Sequence, residues 1–304
     1  MMKTEMVKKP LECGCKGIRF CALCKDSLRC FICDVKIPNF RVSKLTLTKE
    51  YPYAHYKKYI YSIRHGMAIL DDSLSERPNL DDVHDSADAK NRIDSLPKDS
   101  LVISGLHIVL DFLNEEEEMD LVQTIDKTEW VLSQSGRRKQ DYGPRVNFKH
   151  KKIKIDRFVG MPVYVDTILN KMNAVSHDLL GSYQPLELCN LEYDDSRWST
   201  IEMHCDDTWI WGDRLISLNL LSNSVLTYAH EDKNVIVYVP VPRRSIVCMT
   251  GEIRYSWKHA VFPEHIRGRR IALTMREPSS AFKKEGELYE KYGRELTRLG
   301  NIRI

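Results

Sequence analysis

Short runs of alternating apolar and polar residues fill the chain from residue 186 to residue 277, with brief turns between them. Such alternation gives each strand one buried face, and eight runs at this spacing are typical of a sandwich or a barrel-like jelly roll. We therefore predict a mostly β fold. The predicted strands are LELCNLEY, TIEMH, RLISLNLL, VLTYAH, VIVYVPV, RSIVCMTG, RYSWKHA and RRIALTMRE.

A helical pattern precedes this β region. Asn114 is a suitable N-cap, and the four glutamates at 115–118 suit the positive end of a helix dipole. We predict a helix over 115–127 and interpret the glutamates as dipole partners on a solvated face rather than as a metal cluster. The apolar stripe of this helix comprises Met119, Leu121, Val122 and Ile125.

The segments outside the β region differ in composition. Residues 71–100 carry nine acidic and four basic residues and no aromatic residue, which predicts an acidic mobile linker. The run YKKYIYSI at 56–63 predicts one or two strands, and apolar residues return to helical spacing after residue 280. The predicted division is a Cys-rich head (1–35), a small extended segment (36–70), the linker (71–100), the main domain (101–280) and a docked C-terminal helix (281–304).

Composition restricts the cellular compartment and the class of protein. The 304 residues are 42% apolar and 29% charged, with a formal net charge of +3, as in an ordinary globular protein. No run of eighteen apolar residues predicts a membrane span, and MMKTEMVKKP does not resemble a secretory signal. Cysteines without a signal favour a reducing compartment, so we expect a nuclear and cytoplasmic protein that is not secreted and has no membrane partner.

Six of the nine cysteines lie close together near the start of the chain. Two close pairs of thiolates can complete a tetrahedral zinc site, so the spacing favours structural zinc in this head. Six candidates for four places leave the ligand set open, and six free or disulfide-bonded cysteines are the alternative. The candidates are Cys13, Cys15, Cys21, Cys24, Cys30 and Cys33.

Two histidines and an aspartate in the β region match an iron-binding pattern. His204 and Asp206 are two residues apart at a strand end, so their side chains share a side, and His259 lies on a later strand. Two histidines and one carboxylate form the facial triad of non-haem iron(II) oxygenases. His265 is a competing ligand, but it lies so close to Arg270 that little room remains for a turn between strands, which favours His259.

Arg270 and Arg276 are six residues apart and share one face of the last predicted strand. Two guanidinium groups that point into a barrel need anions, and a dicarboxylate such as 2-oxoglutarate would bind both of them.

The ordered combination of these motifs resembles the AlkB-type iron(II) and 2-oxoglutarate dioxygenases, and within them the fourth animal AlkB homologue group. The resemblance implies a double-stranded β-helix, iron ligands at His204, Asp206 and His259, and 2-oxoglutarate contacts at Arg270, Arg276 and Tyr193. The residues that carry it are ECGCKGIRFCALC (12–24), LSQSGRRKQDYGPRVNF (132–148), CNLEYDD (189–195), HCDDTWIWGDRLISLNLLS (204–222), WKHA (257–260) and RRIALTMRE (269–277).

The chain departs from the resemblance near Tyr193, and the resemblance covers only part of the cysteine head. Many relatives have an asparagine two residues before the tyrosine; here Leu191 stands there and Asn190 is shifted by one. In the head, the group is matched by Cys13, Cys15, Cys21 and Cys24, and Cys30 and Cys33 lie outside the matched part.

The segment 137–157 carries nine Lys or Arg residues against two Asp. In relatives, an arginine followed five residues later by Tyr-Gly belongs to the substrate lid, which implies substrate contacts at Arg137, Arg138 and Tyr142. A basic strip with an aromatic ring can bind a phosphate backbone and stack a base. A solvated basic face and a surface for an acidic protein are the alternatives.

The resemblance implies an oxidative N-demethylase that uses iron(II), 2-oxoglutarate and O2 and releases succinate and formaldehyde. The group is associated with N6-methyladenine in DNA and with monomethyl-lysine on actin, and the basic lid favours DNA. Actin or actomyosin proteins remain alternative partners, and both substrates together are a further alternative. A non-catalytic adaptor that binds zinc and nucleic acid is the competing class, which the complete set of iron and 2-oxoglutarate residues disfavours.

Overall fold

The computed structural model describes residues 53–304, so the predicted zinc site lies outside the described residues. Two seven-stranded sheets and a separate hairpin make up the β structure of this part of the chain. None of its helices is long and apolar enough to cross a membrane.

The strands and helices have the following bounds. The strands are β1 Lys57–Ser62, β2 Met67–Leu70, β3 Leu101–Val102, β4 Leu106–Val109, β5 Val131–Leu132, β6 Arg138–Tyr142, β7 Arg145–Asn147, β8 Lys152–Lys154, β9 Glu187–Asp194, β10 Ile201–His204, β11 Trp211–Leu220, β12 Ser224–His230, β13 Val235–Val241, β14 Ile246–Met249, β15 Lys258–Val261 and β16 Arg269–Pro278. The helices are α1 Leu80–Asn91, α2 Glu115–Asp126, α3 Tyr164–Val175, α4 His177–Leu180, α5 Gly251–Ser256 and α6 Arg294–Gly300.

The two large sheets enclose a common core, which confirms the predicted jelly roll. One sheet has the order β10-β15-β12-β13-β1-β2-β3 and the other β4-β14-β11-β16-β9-β6-β5. Side chains of both sheets line a single pocket between them. Each of the eight predicted runs contributes a strand, because each has one apolar face to bury.

One predicted strand is half helical. In RYSWKHA only the last residues are extended, because Gly251–Ser256 forms α5. The buried guanidinium of Arg254 donates to backbone carbonyls, among them those of Asp207 (2.8 Å) and Gly212 (3.2 Å). These bonds hold the turn against the loop that follows β10, and no alternation pattern could have indicated them.

The acidic segment 71–100 contains an ordered helix, which corrects the prediction of a mobile linker. The helix α1 begins with a capping box. The Asn79 side chain accepts a hydrogen bond from the backbone N–H of Asp82, and the Asp82 side chain accepts one from the backbone N–H of Asn79. Three apolar residues on one face of α1 pack against β1, β12 and β13. A stripe this narrow is enough to dock a helix, yet it hardly changes the composition of the segment. The three residues are Leu80, Val83 and Ala87.

The extended segment before this helix belongs to the main sheet. Strand β1 pairs in parallel with β13, from Lys57 opposite Val235 to Ile60 opposite Tyr238. The predicted boundary at residue 101 therefore does not separate two folded units.

The helix α2 begins after Asn114, which caps it as the sequence predicts. Of the four glutamates, Glu118 departs from the predicted solvated role, since it is 1% exposed. Its carboxylate accepts from the backbone N–H of Leu221 (2.7 Å) and from Arg243 (2.6 Å). Met119, assigned to the apolar stripe, is exposed instead. The buried charge of Glu118 is stabilised because the Leu221 amide and the Arg243 guanidinium both donate to its carboxylate.

The end of the chain packs on the body. A short π-helical turn, Tyr289–Gly293, leads into α6, and Leu296 and Leu299 are buried. Arg303 continues the contact through a bridge to Met161 and an ion pair with Asp166.

The capping of α1 gives a test of the ordered segment. Asn79→Ala removes the acceptor for the N–H groups of Asp81 and Asp82, so we expect the free energy of unfolding to fall by about 1 kcal/mol. Urea denaturation measures this change, with Asp85→Ala on the exposed face of α1 as the control. An unchanged midpoint for Asn79→Ala would show that the helix does not contribute to the folded body.

Candidate iron and 2-oxoglutarate site

Three potential metal ligands converge where β10 and β15 pair. His204 lies directly opposite His259 in the antiparallel register, and Asp206 follows two residues after His204. One ligand atom from each residue lies within 4.8 Å of the others, and His259 Nε2 is 3.6 Å from Asp206 Oδ2. In residues 53–304, this is the one group of histidine, cysteine and carboxylate side chains arranged to hold a metal ion.

The two imidazoles are held in the neutral form that a metal requires. His204 Nδ1 lies 2.7 Å from the carbonyl oxygen of Glu202, so the Nδ1–H group donates to this oxygen. The lone pair of Nε2 is then available to a metal ion. Burial lowers the pKa of His204 below its ordinary value. Burial and the neighbouring His204 lower the pKa of His259 to about 3.

The carboxylate of Asp206 is held in the charged form. Its Oδ1 accepts from Nε (3.0 Å) and Nη2 (2.8 Å) of Arg276. Burial opposes the charge, but the guanidinium of Arg276 outweighs it and holds the pKa of Asp206 well below its usual range. Two neutral imidazoles and one carboxylate, with one side of the group open, fit iron(II).

His265 does not belong to this site. It is 1% exposed, and its Nε2 is 3.0 Å from the carbonyl oxygen of Pro78, at the start of the segment that leads into α1. The histidine therefore joins the α1 region to the sheet, and His259 is the one that meets His204.

A pocket of about 580 Å³, counted to its open mouth, extends from the metal ligands into the core. Arg270 lies in its floor, 1% exposed, with its guanidinium 4.9 Å above the ring of Tyr193. Arg270 Nε donates to Asn219 Oδ1 (2.7 Å), while Nη1 has no partner among the described residues. A buried cation with an unpaired N–H is costly, and a carboxylate group of 2-oxoglutarate would satisfy it.

Asn219 is a site residue that the sequence reasoning missed. Its amide Nδ2 donates to the carbonyls of Ser222, Val241 and Pro242, which fixes Oδ1 toward Arg270. The available signal was a lone asparagine inside the apolar strand LISLNLL.

Asn190 points away from the pocket. Its Nδ2 donates to Gln140 Oε1 and lies 2.8 Å from the hydroxyl of Tyr164, on the outer face of β9. Leu191 takes the inward position and lines the pocket. The asparagine beside Arg270 therefore comes from β11 and not from β9.

The three predicted substrate contacts lie in different places. Arg137 is 4% exposed and 5.9 Å from the ring of Tyr193, close to the pocket. Arg138 points to the outer face of β6, where it binds the buried carboxylate of Glu192. Tyr142 shares that outer face and lies 3.5 Å from the hydroxyl of Thr128. Alternation along β6 thus separates Arg138 and Tyr142 from the pocket.

The iron ligands give a direct test. His204→Ala and Asp206→Ala should each lower iron(II) affinity more than a hundredfold without unfolding the protein, because these side chains converge on one ion. Metal analysis after gel filtration measures retained iron, and His107→Ala, an exposed histidine, is the control. Normal iron retention in either ligand variant would contradict the assigned triad.

The floor arginine tests the cosubstrate pocket. Arg270→Lys keeps the charge but loses the planar fork, so we expect the KM for 2-oxoglutarate to rise about tenfold or more while iron binding stays the same. The control is Arg269→Lys, on the neighbouring residue, whose guanidinium binds Asp126 on the opposite face of β16. Equal KM values in the two variants would refute an Arg270 contact.

Comparisons with known proteins agree with this geometry. The chain is 50% identical over 292 residues to the DNA N6-methyl adenine demethylase of Caenorhabditis elegans, covering 96% of this chain and 95% of that protein. It is 34% identical to the alpha-ketoglutarate-dependent dioxygenase alkB homolog 4 of Homo sapiens, over 95% of this chain and 93% of the relative. The mouse protein of the same name is 39% identical over 63% of this chain and 73% of its own length.

No family model matches the chain. Among solved structures, that of OsALKBH1 superimposes with a TM-score of 0.46 at 13% identity, over 58% of this chain and 98% of that one. The near full-length identity to the worm and human proteins decides the family: the chain belongs to the AlkB-type iron(II)- and 2-oxoglutarate-dependent dioxygenases, in the group of alkB homologue 4.

Proposed function

We propose that this protein is an oxidative N-demethylase that acts on N6-methyladenine in DNA. The observation that carries the proposal is the 50% identity, over 95% of its length, to a relative named a DNA N6-methyl adenine demethylase. The triad and the unpaired floor arginine support the same chemistry.

The overall reaction replaces one N-methyl hydrogen by hydroxyl, and the resulting N-hydroxymethyl group breaks its C–N bond to release formaldehyde. Bound iron(II) with O2 supplies the oxidising power, while 2-oxoglutarate is oxidised to succinate and carbon dioxide. His204, Asp206 and His259 would hold the ion. Arg270 would hold the cosubstrate, with Arg276 and Tyr193, which also line the pocket, as further contacts. Apolar side chains of the pocket exclude water from the reacting groups. They include Leu215, Leu226, Met249 and Val261.

A basic hairpin, formed by β7 and β8, supports a phosphate-containing substrate. The strands β7 and β8 form a two-stranded unit that follows the predicted lid. Six basic residues of this hairpin and of the turn that follows it are exposed, and none of them forms an ion pair with any residue of the described range. Exposed cations without an acidic partner can displace counterions from a DNA backbone. These residues are Arg145, Lys149, Lys151, Lys152, Lys154 and Arg157.

The cations at the start of the basic segment are less suited to that role. Arg138 binds Glu192, and Lys139 binds Asp141. Arg138 and Lys139 are therefore neutralised within the protein, and the exposed cations available to phosphate groups are those of the hairpin.

Monomethyl-lysine on actin is the alternative substrate. The chain belongs to the alkB homologue 4 group, with which this substrate is associated, and a basic hairpin could also receive an acidic protein surface. We propose the nucleus as the workplace for a DNA substrate and the cytoplasm as the workplace for an actomyosin substrate. A methylated base in a duplex must also be flipped out or presented in a single strand.

We also propose structural zinc in the cysteine head. The support is the sequence alone, in the regular pairing of Cys13 with Cys15 and of Cys21 with Cys24. Thiolate coordination there would be independent of the iron site.

The substrate proposal predicts formaldehyde from N6-methyladenine in single-stranded DNA, with less or none from a monomethyl-lysine actin peptide. Product from the peptide and none from single- or double-stranded DNA would overturn the proposed substrate and leave the dioxygenase assignment intact. Formaldehyde and succinate, measured together, report coupled turnover.

The hairpin predicts the salt dependence of DNA binding. The triple variant Lys149→Gln, Lys151→Gln and Lys152→Gln should reduce the slope of log affinity against log salt by roughly 2 to 3, because each lost phosphate contact removes about 0.9. The matched control neutralises three exposed lysines elsewhere, namely Lys57, Lys98 and Lys284. Equal slopes for the two triple variants would exclude the hairpin as the phosphate-binding surface. Substrate-free 2-oxoglutarate turnover should not change in either.

A further inference from the structure

The strand β9 places a second carboxylate at the mouth of the pocket. Side chains of alternate residues share a face, so Glu187 lies on the same face as Leu191 and Tyr193, which line the pocket. Tyr193 in the floor is 2% exposed, whereas the Glu187 side chain is 22% exposed. Glu187 therefore lies closer to solvent than the floor, beside Arg276, which lines the pocket.

Arg276 fixes this carboxylate beside the iron ligands. Glu187 is directly opposite Arg276 in the β9–β16 register, and Arg276 Nη1 donates to Glu187 Oε2 (2.5 Å). The same guanidinium donates to Asp206 through Nε and Nη2. The other oxygen of Glu187, Oε1, accepts no hydrogen bond from the described residues.

The turn after β6 packs closely against Glu187. Gly143 has φ +156°, and a Cβ built on it would lie 3.2 Å from Glu187 Cγ and 3.0 Å from the carbonyl oxygen of Leu186. Glycine is what allows this close approach, and the packed turn restricts the rotamers of Glu187. The Tyr-Gly pair of the predicted lid thus acts on the carboxylate through its glycine.

We propose that Glu187 is a specificity-determining residue that accepts a hydrogen bond from the N–H of the methylated nitrogen of the substrate. This inference rests on the proposed demethylase function. In N6-methyladenine the nitrogen carries one hydrogen and one methyl group. When Glu187 binds the hydrogen, the methyl group is turned toward His204, Asp206 and His259.

The geometry has a consequence for substrate choice. A nitrogen whose hydrogens are all replaced cannot donate, and it would place a methyl group against a carboxylate that has lost its water. Removing water from Glu187 Oε1 without replacing its hydrogen bond is costly, so the enzyme should select secondary over tertiary aromatic amines by roughly ten- to a hundredfold.

The experiment compares initial rates of formaldehyde release from matched single-stranded oligonucleotides that contain N6-methyladenine or N6,N6-dimethyladenine. The wild type should favour the monomethyl base in kcat/KM by roughly tenfold or more. Glu187→Ala should bring the ratio close to one, mainly by slowing the monomethyl reaction. Glu187→Gln keeps a carbonyl acceptor and should retain part of the preference.

Further measurements separate recognition of the N–H from support of the iron site. Iron content, the KM for 2-oxoglutarate and substrate-free succinate formation should stay within about twofold in Glu187→Ala. The control is Asp141→Asn, a rim carboxylate that bonds to Lys139 and Cys189 and should leave the ratio unchanged. An unchanged ratio in Glu187→Ala, or an equal loss of both substrates together with iron, would overturn the inference.

A parallel assay distinguishes this inference from the substrate proposal. Actin peptides with monomethyl-lysine or trimethyl-lysine differ in the same way, since trimethyl-lysine has no N–H to donate. If only the peptides react, the DNA proposal fails, and the monomethyl-to-trimethyl ratio in Glu187→Ala still decides the role of Glu187. If neither polymer reacts, both proposals fail.

Discussion

The bond between Asp206 and Arg276 holds the functional site together. Asp206 follows β10 in one sheet and Arg276 lies on β16 in the other, so the bond joins the two sheets at the mouth of the pocket. It keeps the carboxylate ionised and leaves Oδ2 free to face the metal. The same guanidinium also binds Glu187 on β9, so Arg276 ties three strands together at this point.

The two faces of the β9–β6 sheet use charge in different ways. On the outer face, the buried Glu192 binds Arg138, Arg197 and Arg269, so its charge is fully satisfied within the protein. On the inner face, Arg270 keeps an unpaired N–H. The neighbouring residues Arg269 and Arg270 of β16 therefore differ in role. Arg269 binds Glu192 on the outer face, and Arg270 faces the pocket on the inner face. The period of a strand decides which of the two applies.

Much of the fold and of the metal site could be predicted from the sequence. Alternation shows which strands have one face to bury, and His204 and Asp206 are near neighbours in the chain, so their meeting needs only a strand end. The choice of His259 over His265 could be made from the short spacing between His265 and Arg270. The register that sets His259 opposite His204 could not be predicted, because cross-strand register is not local information. Asn219, Glu187 and the buried Glu118 were missed for the same reason: each meets its partner only after distant strands or helices pack. The ordered α1 was missed because its three apolar residues hardly alter an acidic composition.

The parallel pairing of β1 with β13 also governs how the chain reaches its native state. Val235 lies 178 positions after its partner Lys57, so this contact closes a very long loop. During synthesis β1 must wait until β13 has emerged, and such non-local pairing is intrinsically slow. Until then β13 presents an open edge of valine, isoleucine and tyrosine, which is a template for association with other chains. A fragment that began at residue 101 would retain the iron ligands and keep that edge exposed permanently. By covering β13, strand β1 and helix α1 thus protect the sheet against aggregation.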